Sequence, residues 1–390
     1  MKNLTIKAKI LVITLCSLII LGVILATIAV TEAKSVLERE SFDRLKTITL
    51  IKKHQLETFF QETTEDVKIL SKNLSIKSFV SELVELDTSL NLSKTDAFPI
   101  DDENVKRITS KYDEFFTNYV SDAGYKDMMI ISPENGLVLY TSKKNSDYGA
   151  NLAYGKLKDS GLAKVWKKVR EFKQPTYVDM SIYAPTGNSP EMFIGAPLFI
   201  KDKFSAILVF RFDEVAINEI MNFREGFGAS EETLILGPDY LMRNDSTLSP
   251  DTYNIKKSLQ NPETSKITSS FVKAALSGQS GEGEIKAYSA DIVLESYAPV
   301  KVGENLTWAI ISKIDKNEVL LTPNRIRNII TIASISLIIV IGIFLYIFIN
   351  SMVVKPLNVF QNGLLSFFKY LNKETEDTEE LIVDRKDEIG

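Results

Sequence analysis

A single arginine interrupts the apolar run Ile207-Leu208-Val209-Phe210-Arg211-Phe212, and strand alternation places its guanidinium on the face shared by Ile207 and Val209. A guanidinium buried there needs an anion, either a ligand carboxylate or an internal acid such as Asp179. The competing reading is a side chain that snorkels out at the strand end, and Lys313, 102 positions later (313 − 211), repeats the cation in a matching run. Tyr177, Asp179 and Tyr183 form a second candidate group, with Trp166 just upstream. Aromatic rings beside one carboxylate suit a cationic or amine-bearing ligand, through cation–π contact and a charge-assisted hydrogen bond. The plainer alternative makes Trp166 and Tyr177 core residues and Asp179 a turn cap.

Other chemistry is poorly supplied. The chain has one histidine, His54, and one cysteine, Cys16. A Ser-His-Asp triad, a Cys-His pair or a His-rich metal site is hard to build from them, and no Walker-type loop or GxSxG elbow occurs. No catalytic residue, metal or cofactor is therefore expected. With 46 basic and 51 acidic residues the net charge is −5, and no basic stripe with interleaved aromatics suggests nucleic-acid binding. The reading is a binder of small molecules.

The elements that hold these residues lie between two uncharged apolar runs, Ile10 to Val30 and Asn328 to Ile349. Each is about 21 residues long, enough to cross a hydrocarbon core of roughly 30 Å as a helix. The first is longer than a signal-peptide core, so an uncleaved anchor is expected. Lys2, Lys7 and Lys9 put the N-terminus (1–9) on the cytoplasmic side, and two crossings (10–30 and 328–350) return the C-terminus there. Arg325 and Arg327 lie against that rule, on the outer side of the second run. Residues 31–327 are then extracytoplasmic, and the expected location is a bacterial inner (plasma) membrane, crossed twice.

Within that segment, Glu32 to about Glu85 lacks Pro and Gly and reads as one long helix, with Phe60, Val67 and Leu74 at heptad spacing and Leu56 and Leu70 beside them. This seam suits either a stalk packed on another helix or an amphipathic helix lying on its own domain. A second helix is expected from about Asp101 to Val120. Periodicity then becomes strand-like over Met128–Ile131, Leu137–Thr141, Thr176–Met180, Met192–Phe199 and Ser205–Phe212, with a helix at Gly161–Phe172 and a hairpin turn at Ser132-Pro133-Glu134-Asn135-Gly136. Ala196-Pro197-Leu198 is echoed by Ala298-Pro299-Val300 and Asp213 by Asp315, both at an offset of 102 (298 − 196, 315 − 213). Ile131-Ser132-Pro133-Glu134 is echoed by Leu236-Gly237-Pro238-Asp239 at 105 (238 − 133). Near-constant offsets through strand, turn and strand predict a duplicated α+β module.

On these residues the chain resembles the double Cache sensor domains of bacterial transmembrane receptors, especially methyl-accepting chemotaxis proteins. The resemblance covers about residues 31–327 and is carried by the long first helix, Ser160-Gly161-Leu162, Tyr177-Val178-Asp179, Tyr183-Ala184-Pro185, Ala196-Pro197, and Ile235-Leu236-Gly237-Pro238 with Leu241-Met242-Arg243. It implies an α+β fold of two stacked PAS-like antiparallel-sheet modules on a helical stalk: 31–120 helical, 121–225 membrane-distal and 226–320 membrane-proximal. A small ligand, an amine, amino acid or organic acid, would sit in the distal module, with Trp166, Tyr177, Asp179, Tyr183 and Arg211 as the candidate binding residues. The aromatic-arginine motif of amino-acid-sensing members is not evident in Gly161 to Arg170.

After the second apolar run, Lys355-Pro356 opens a segment in which Leu357, Phe360, Leu364, Phe367 and Leu371 fall at spacings of 3, 4, 3 and 4. That is a coiled-coil seam. The proline, this seam, an acidic connector and the terminal Asp387-Glu388-Ile389-Gly390 resemble the start of a HAMP relay (351–390), with Glu388 matching the glutamate that begins its second helix. The expectation is a homodimeric chemoreceptor that signals to chemotaxis proteins through a cytoplasmic region lying beyond Gly390, the sequence being truncated there. The same input could serve a histidine kinase or a nucleotide cyclase, and a passive membrane-anchored binding protein is the third reading.

Overall fold

The computed structural model describes residues 5–224, 228–286 and 291–374. The Asp387-Glu388-Ile389-Gly390 positions of the HAMP-like motif lie outside them. Two compact units partition the chain, Glu40–Glu318 and a second comprising Met1–Arg39 with Val319–Gly390.

In the larger unit, helix α1 (Ile6–Lys72) ends one residue before α2 (Leu74–Ser89). The single helix expected through Glu85 is broken at Asn73, whose side chain accepts from the backbone N–H of Ser75 (2.8 Å) and Ile76 (3.3 Å) and so caps α2. Short helices α3 (Glu103–Ser110) and α4 (Asp113–Asp122) follow. The first sheet comprises β1 (Asp127–Ile131), β2 (Val138–Thr141), β3 (Thr176–Tyr183), β4 (Ser189–Ile200) and β5 (Lys203–Phe212), in the antiparallel order β2-β1-β5-β4-β3, with α5 (Gly161–Phe172) crossing before β3. Helix α6 (Val215–Asn222) leads to β6 (Glu232–Leu236). Then come α7 (Ile255–Gln260), α8 (Pro262–Ser265), α9 (Ser270–Leu276), β7 (Gly281–Lys286), β8 (Ile292–Val302) and β9 (Leu306–Asp315), the second sheet having the order β6-β9-β8-β7.

The duplication read from sequence offsets is present in the pairing. Asp127 of β1 faces Arg211 of β5, and Glu232 of β6 faces Lys313 of β9, in the same antiparallel register. β1, β5, β4 and β3 correspond to β6, β9, β8 and β7, while the place of β2 is taken by one bridge between Leu236 and Met242. In each module a helix, α5 or α9, covers one sheet face.

The opposite faces of both sheets share one core with α1 and α2. Leu56, Phe60, Val67 and Leu70 pack there with Met128, Ile194 and Phe210 of the first sheet and Ile235, Val300 and Trp308 of the second. The seam therefore serves the helix's own domain over Leu56 to Leu70, whereas Leu74 is 82% exposed just past the break. On the other face α5 lies very close to β4. A Cβ added at Gly195 would sit 2.9 Å from Val165 Cγ2, which only glycine avoids.

The smaller unit contains the apolar part of α1, α10 (Lys316–Val319), which straddles the boundary, α11 (Leu321–Ile349), a π-helical turn (Asn350–Val354) and α12 (Lys355–Leu371). Both long helices are long and apolar enough to cross a membrane. Lys7 Nζ donates to Asn350 Oδ1 (2.9 Å) and lies 3.7 Å over the Tyr346 ring, joining the start of the first apolar run to the end of the second. The π turn precedes Pro356, whose missing N–H removes one helical bond that the wider winding absorbs. Leu357, Phe360, Leu364, Phe367 and Leu371 occupy α12 and are 40–57% exposed.

Candidate ligand site

Four ionisable side chains converge on the α5-facing side of the first sheet. Arg211, on β5, sits between β1 and β4, which supply Asp127 and Glu191, and Asp147 enters from the turn-rich segment after β2. None is more than 4% exposed. Arg211 Nη1 donates to Glu191 Oε1 (2.7 Å), Nη2 donates to the carbonyl of Lys126 (3.4 Å), and Nη2 lies 3.8 Å from Asp127 Oδ2. Asp127 Oδ1 accepts from Ser142 Oγ (2.7 Å) and from the backbone N–H of Lys143 (3.2 Å). Tyr183 Oη donates to Asp147 Oδ2 (2.8 Å). Asp127 Oδ2, Asp147 Oδ1, Glu191 Oε2 and Arg211 Nε have no hydrogen-bond partner.

Three carboxylates against one guanidinium leave an excess of buried negative charge, and the acids respond as burial requires. Desolvation pushes the Asp127 and Asp147 carboxyls above the ordinary aspartate range, against the pull of Ser142, Tyr183 and Arg211. Burial lifts Glu191 to about 7, with Arg211 pulling the other way and Asp213 adding to the rise. Such an arrangement suits one more positive charge, because an ammonium group would find three unpartnered carboxylate oxygens and relieve the repulsion.

A raised carboxyl pKa has a definite consequence for stability. The protonated form is favoured in the folded state, so this contribution is complete below the unfolded value near 4.5 and lost as pH rises through about 7. Unfolding of the full chain in lipid nanodiscs should show stability falling from about pH 5 to about pH 8. Glu191→Gln should remove part of that slope, and Glu295, which burial also lifts to about 7 in the second module, accounts for a further part. A slope unchanged in Glu191→Gln would contradict the assignment.

The residues nominated from sequence divide between two places. Arg211 and Tyr183 belong to the cluster, and Trp166 lies on the same side, donating from Nε1 to the Ser132 carbonyl (3.2 Å) and stacked beneath Gly136. Arg211 is buried and takes Glu191 as its direct partner, so it neither snorkels nor pairs with Asp179. Tyr177 and Asp179 sit at the junction of the two modules. Tyr177 Oη donates to the Phe60 carbonyl (2.7 Å), and the Tyr177 ring meets Phe60 edge to face at 5.5 Å. Asp179 accepts from Arg243 Nε (2.8 Å) and Nη2 (2.7 Å) and from Trp308 Nε1 (3.1 Å). Sequence reasoning missed Asp127, Asp147 and Glu191. The pairing of Asp127 with Arg211 was accessible through Lys313, because Glu232 stands 105 positions after Asp127 (232 − 127), the offset already seen at Pro133.

A cavity of about 340 Å³ lies beside α1 next to this cluster, lined by Glu62, Asp66, Tyr125, Lys126, Asp213 and Glu219. Tyr125 pairs there with Asp66 at 2.7 Å and Lys126 with Asp213 at 3.1 Å, whereas the cluster keeps three unpartnered carboxylate oxygens, which makes it the better candidate.

Neither a protein-family profile nor a curated protein sequence matches the chain. Among solved structures it is similar to the sensory domain of the Campylobacter jejuni chemoreceptor Tlp3 (CcmL), at 13% identity and a TM-score of 0.47, covering 74% of this chain and 99% of that one. It is also similar to the ligand-binding domain of the Pseudomonas fluorescens chemoreceptor CtaA in complex with L-isoleucine (10%, TM-score 0.46, 74% and 97%). A third similar structure is the extracellular domain of the putative histidine kinase vpHK1S-Z8 (12%, TM-score 0.45, 74% and 95%).

Proposed function

We propose that the chain is a transmembrane sensory receptor of the chemoreceptor class whose first sheet module binds a small amine-bearing ligand at the Asp127, Asp147, Glu191 and Arg211 cluster. The excess of buried carboxylate over guanidinium carries this reading. Ligand entry would neutralise the cluster and change the packing of the Asp147 segment and of Tyr183 at the end of β3, favouring one of two arrangements of the receptor. The second apolar helix would carry that change to the π turn and α12. The exposed seam of α12 suits a second copy of the chain in a HAMP-like bundle, and from there a cytoplasmic output.

The test is binding to the full chain in nanodiscs. Butylamine and 1,4-diaminobutane should raise the unfolding temperature, whereas butanol should not. Binding should release the proton held by Glu191, so affinity rises about tenfold per pH unit below about 7 and levels above it. Asp147→Asn should weaken binding at least tenfold. Amines without effect at about pH 8, or unchanged affinity in Asp147→Asn, would refute the site.

A further inference from the structure

The second module contains a cavity on the α9 side of its sheet. It measures about 290 Å³ and lies between α9 and the sheet, walled by Leu234, Val272 and Ile311. That is near the lower end of the roughly 300–1,000 Å³ typical of small-molecule sites. Glu295 and Lys313 line it, with the side chains of Lys266 and Lys286 exposed at its edge. Lys313 Nζ is 3.5 Å from Glu232, whose Oε1 also accepts from the backbone N–H of Thr247 (2.9 Å). Glu295 is only 7% exposed and its Oε2 has no hydrogen-bond partner.

We propose that this cavity is a second ligand site, for a small aliphatic monocarboxylate whose carboxylate lies between Lys313 and a protonated Glu295. With Glu295 protonated, Lys313, Lys266 and Lys286 outnumber the neighbouring acids Glu232 and Glu263, the latter 3.3 Å from Lys266, which favours an anion, and the apolar wall accepts a short alkyl chain. A protonated Glu295 donates from its otherwise unpartnered oxygen to the ligand carboxylate, so one proton is shared between two acids. Burial lifts Glu295 to about 7 and Lys313 pulls it down; Glu232 on β6, Lys266 before α9 and Lys286 on β7 are the other charged groups around it. The proton is therefore available near neutral pH, taken up from solvent as the anion binds. The site is independent of what the first module binds.

Titration calorimetry of the full chain in nanodiscs with sodium butanoate tests this. Binding should be saturable and tighten as pH falls from about 8 to about 6, with net proton uptake seen as a dependence on buffer ionisation enthalpy. Glu295→Gln should bind with little pH dependence. Lys313→Gln should lose at least tenfold in affinity. Because that change also strands Glu232, the exposed pair Lys266→Gln/Lys286→Gln provides a fold-neutral variant, expected to weaken binding severalfold at low salt. Absence of butanoate binding at millimolar concentration, unchanged pH dependence in Glu295→Gln, or tighter binding of L-2-aminobutanoate than of butanoate overturns the proposal. The last outcome would mean that an ammonium group, and not a shared proton, satisfies Glu295. Retained affinity in both lysine variants would overturn it as well.

Discussion

Asp179→Ala should cost about 3 kcal/mol, the lower end of the 3–5 kcal/mol typical when one partner of a buried ion pair is removed. Asp179 holds Arg243 through two bonds of 2.8 and 2.7 Å, and Arg243 has a side chain only 1% exposed. Burial opposes that guanidinium charge, yet Asp179 and Asp239 together hold its pKa above the ordinary arginine value. Asp239 Oδ1, 2.8 Å from Arg243 Nη2, would survive the substitution, as would the bonds to the carbonyls of Leu241 (2.9 Å) and Met242 (3.2 Å). These keep the loss from reaching the upper end. Trp308 Nε1 would also lose its acceptor. Denaturant unfolding of the full chain in nanodiscs gives the number, and a double-mutant cycle with Arg243→Met should return a coupling of about 1.5–3 kcal/mol, as for hydrogen bonds to charged groups. Additive losses would mean that the clasp contributes nothing as a pair.

The clasp matters because β3 has the candidate cluster at one end and the second module at the other. Tyr183 reaches Asp147, while Asp179 reaches Arg243 and the backbone of Tyr177 exchanges two hydrogen bonds with the Asn305 side-chain amide (3.2 and 3.0 Å). A shift of β3 on ligand binding would meet a direct, bidentate connection to the neighbouring module.

Arg211→Met should cost about 3–5 kcal/mol at about pH 8, because the aliphatic chain fills the space and leaves Asp127, Asp147 and Glu191 without their cation. The loss should shrink on acidification. Arg211 is what pulls the Glu191 pKa down, so without it the carboxyl rises further above its value of about 7 and is neutralised sooner as pH falls. Since a raised folded-state pKa contributes stability below the unfolded value and loses it on the way up, the variant should be most impaired in alkali and recover towards about pH 5. Paired unfolding curves at the two pH values check this. A loss independent of pH would point to packing and not to stranded charge.

Much of the architecture is legible in the sequence. The two apolar runs needed no tertiary information, since their length and absence of charge already make helices long and apolar enough to cross a membrane. The duplicated α+β modules were legible because strand, turn and strand kept step over the whole repeat, and the sheets show the same pairing of Asp127 with Arg211 and of Glu232 with Lys313. Arg211 was correctly placed on the face of Ile207 and Val209 by simple alternation, because β5 runs unbroken over those residues beside β1 and β4.

Apart from the pairing of Asp127 with Arg211, the site's membership was decided only by the fold. Alternation puts Tyr177, Asp179 and Tyr183 on one face, but the register of β3 against β4 slips by one residue between Val178 and Ser181. A slip of one residue exchanges the two faces of a strand. Tyr177 and Met180 therefore enter the core with α1, while Val178 and Tyr183 enter the α5 side. Asp127, Asp147 and Glu191 come from three separate segments, and nothing in their local sequence marks them as buried. Only the closure of the sheet around Arg211, and of the Asp147 turn over it, brings three acids into a space where water cannot neutralise them.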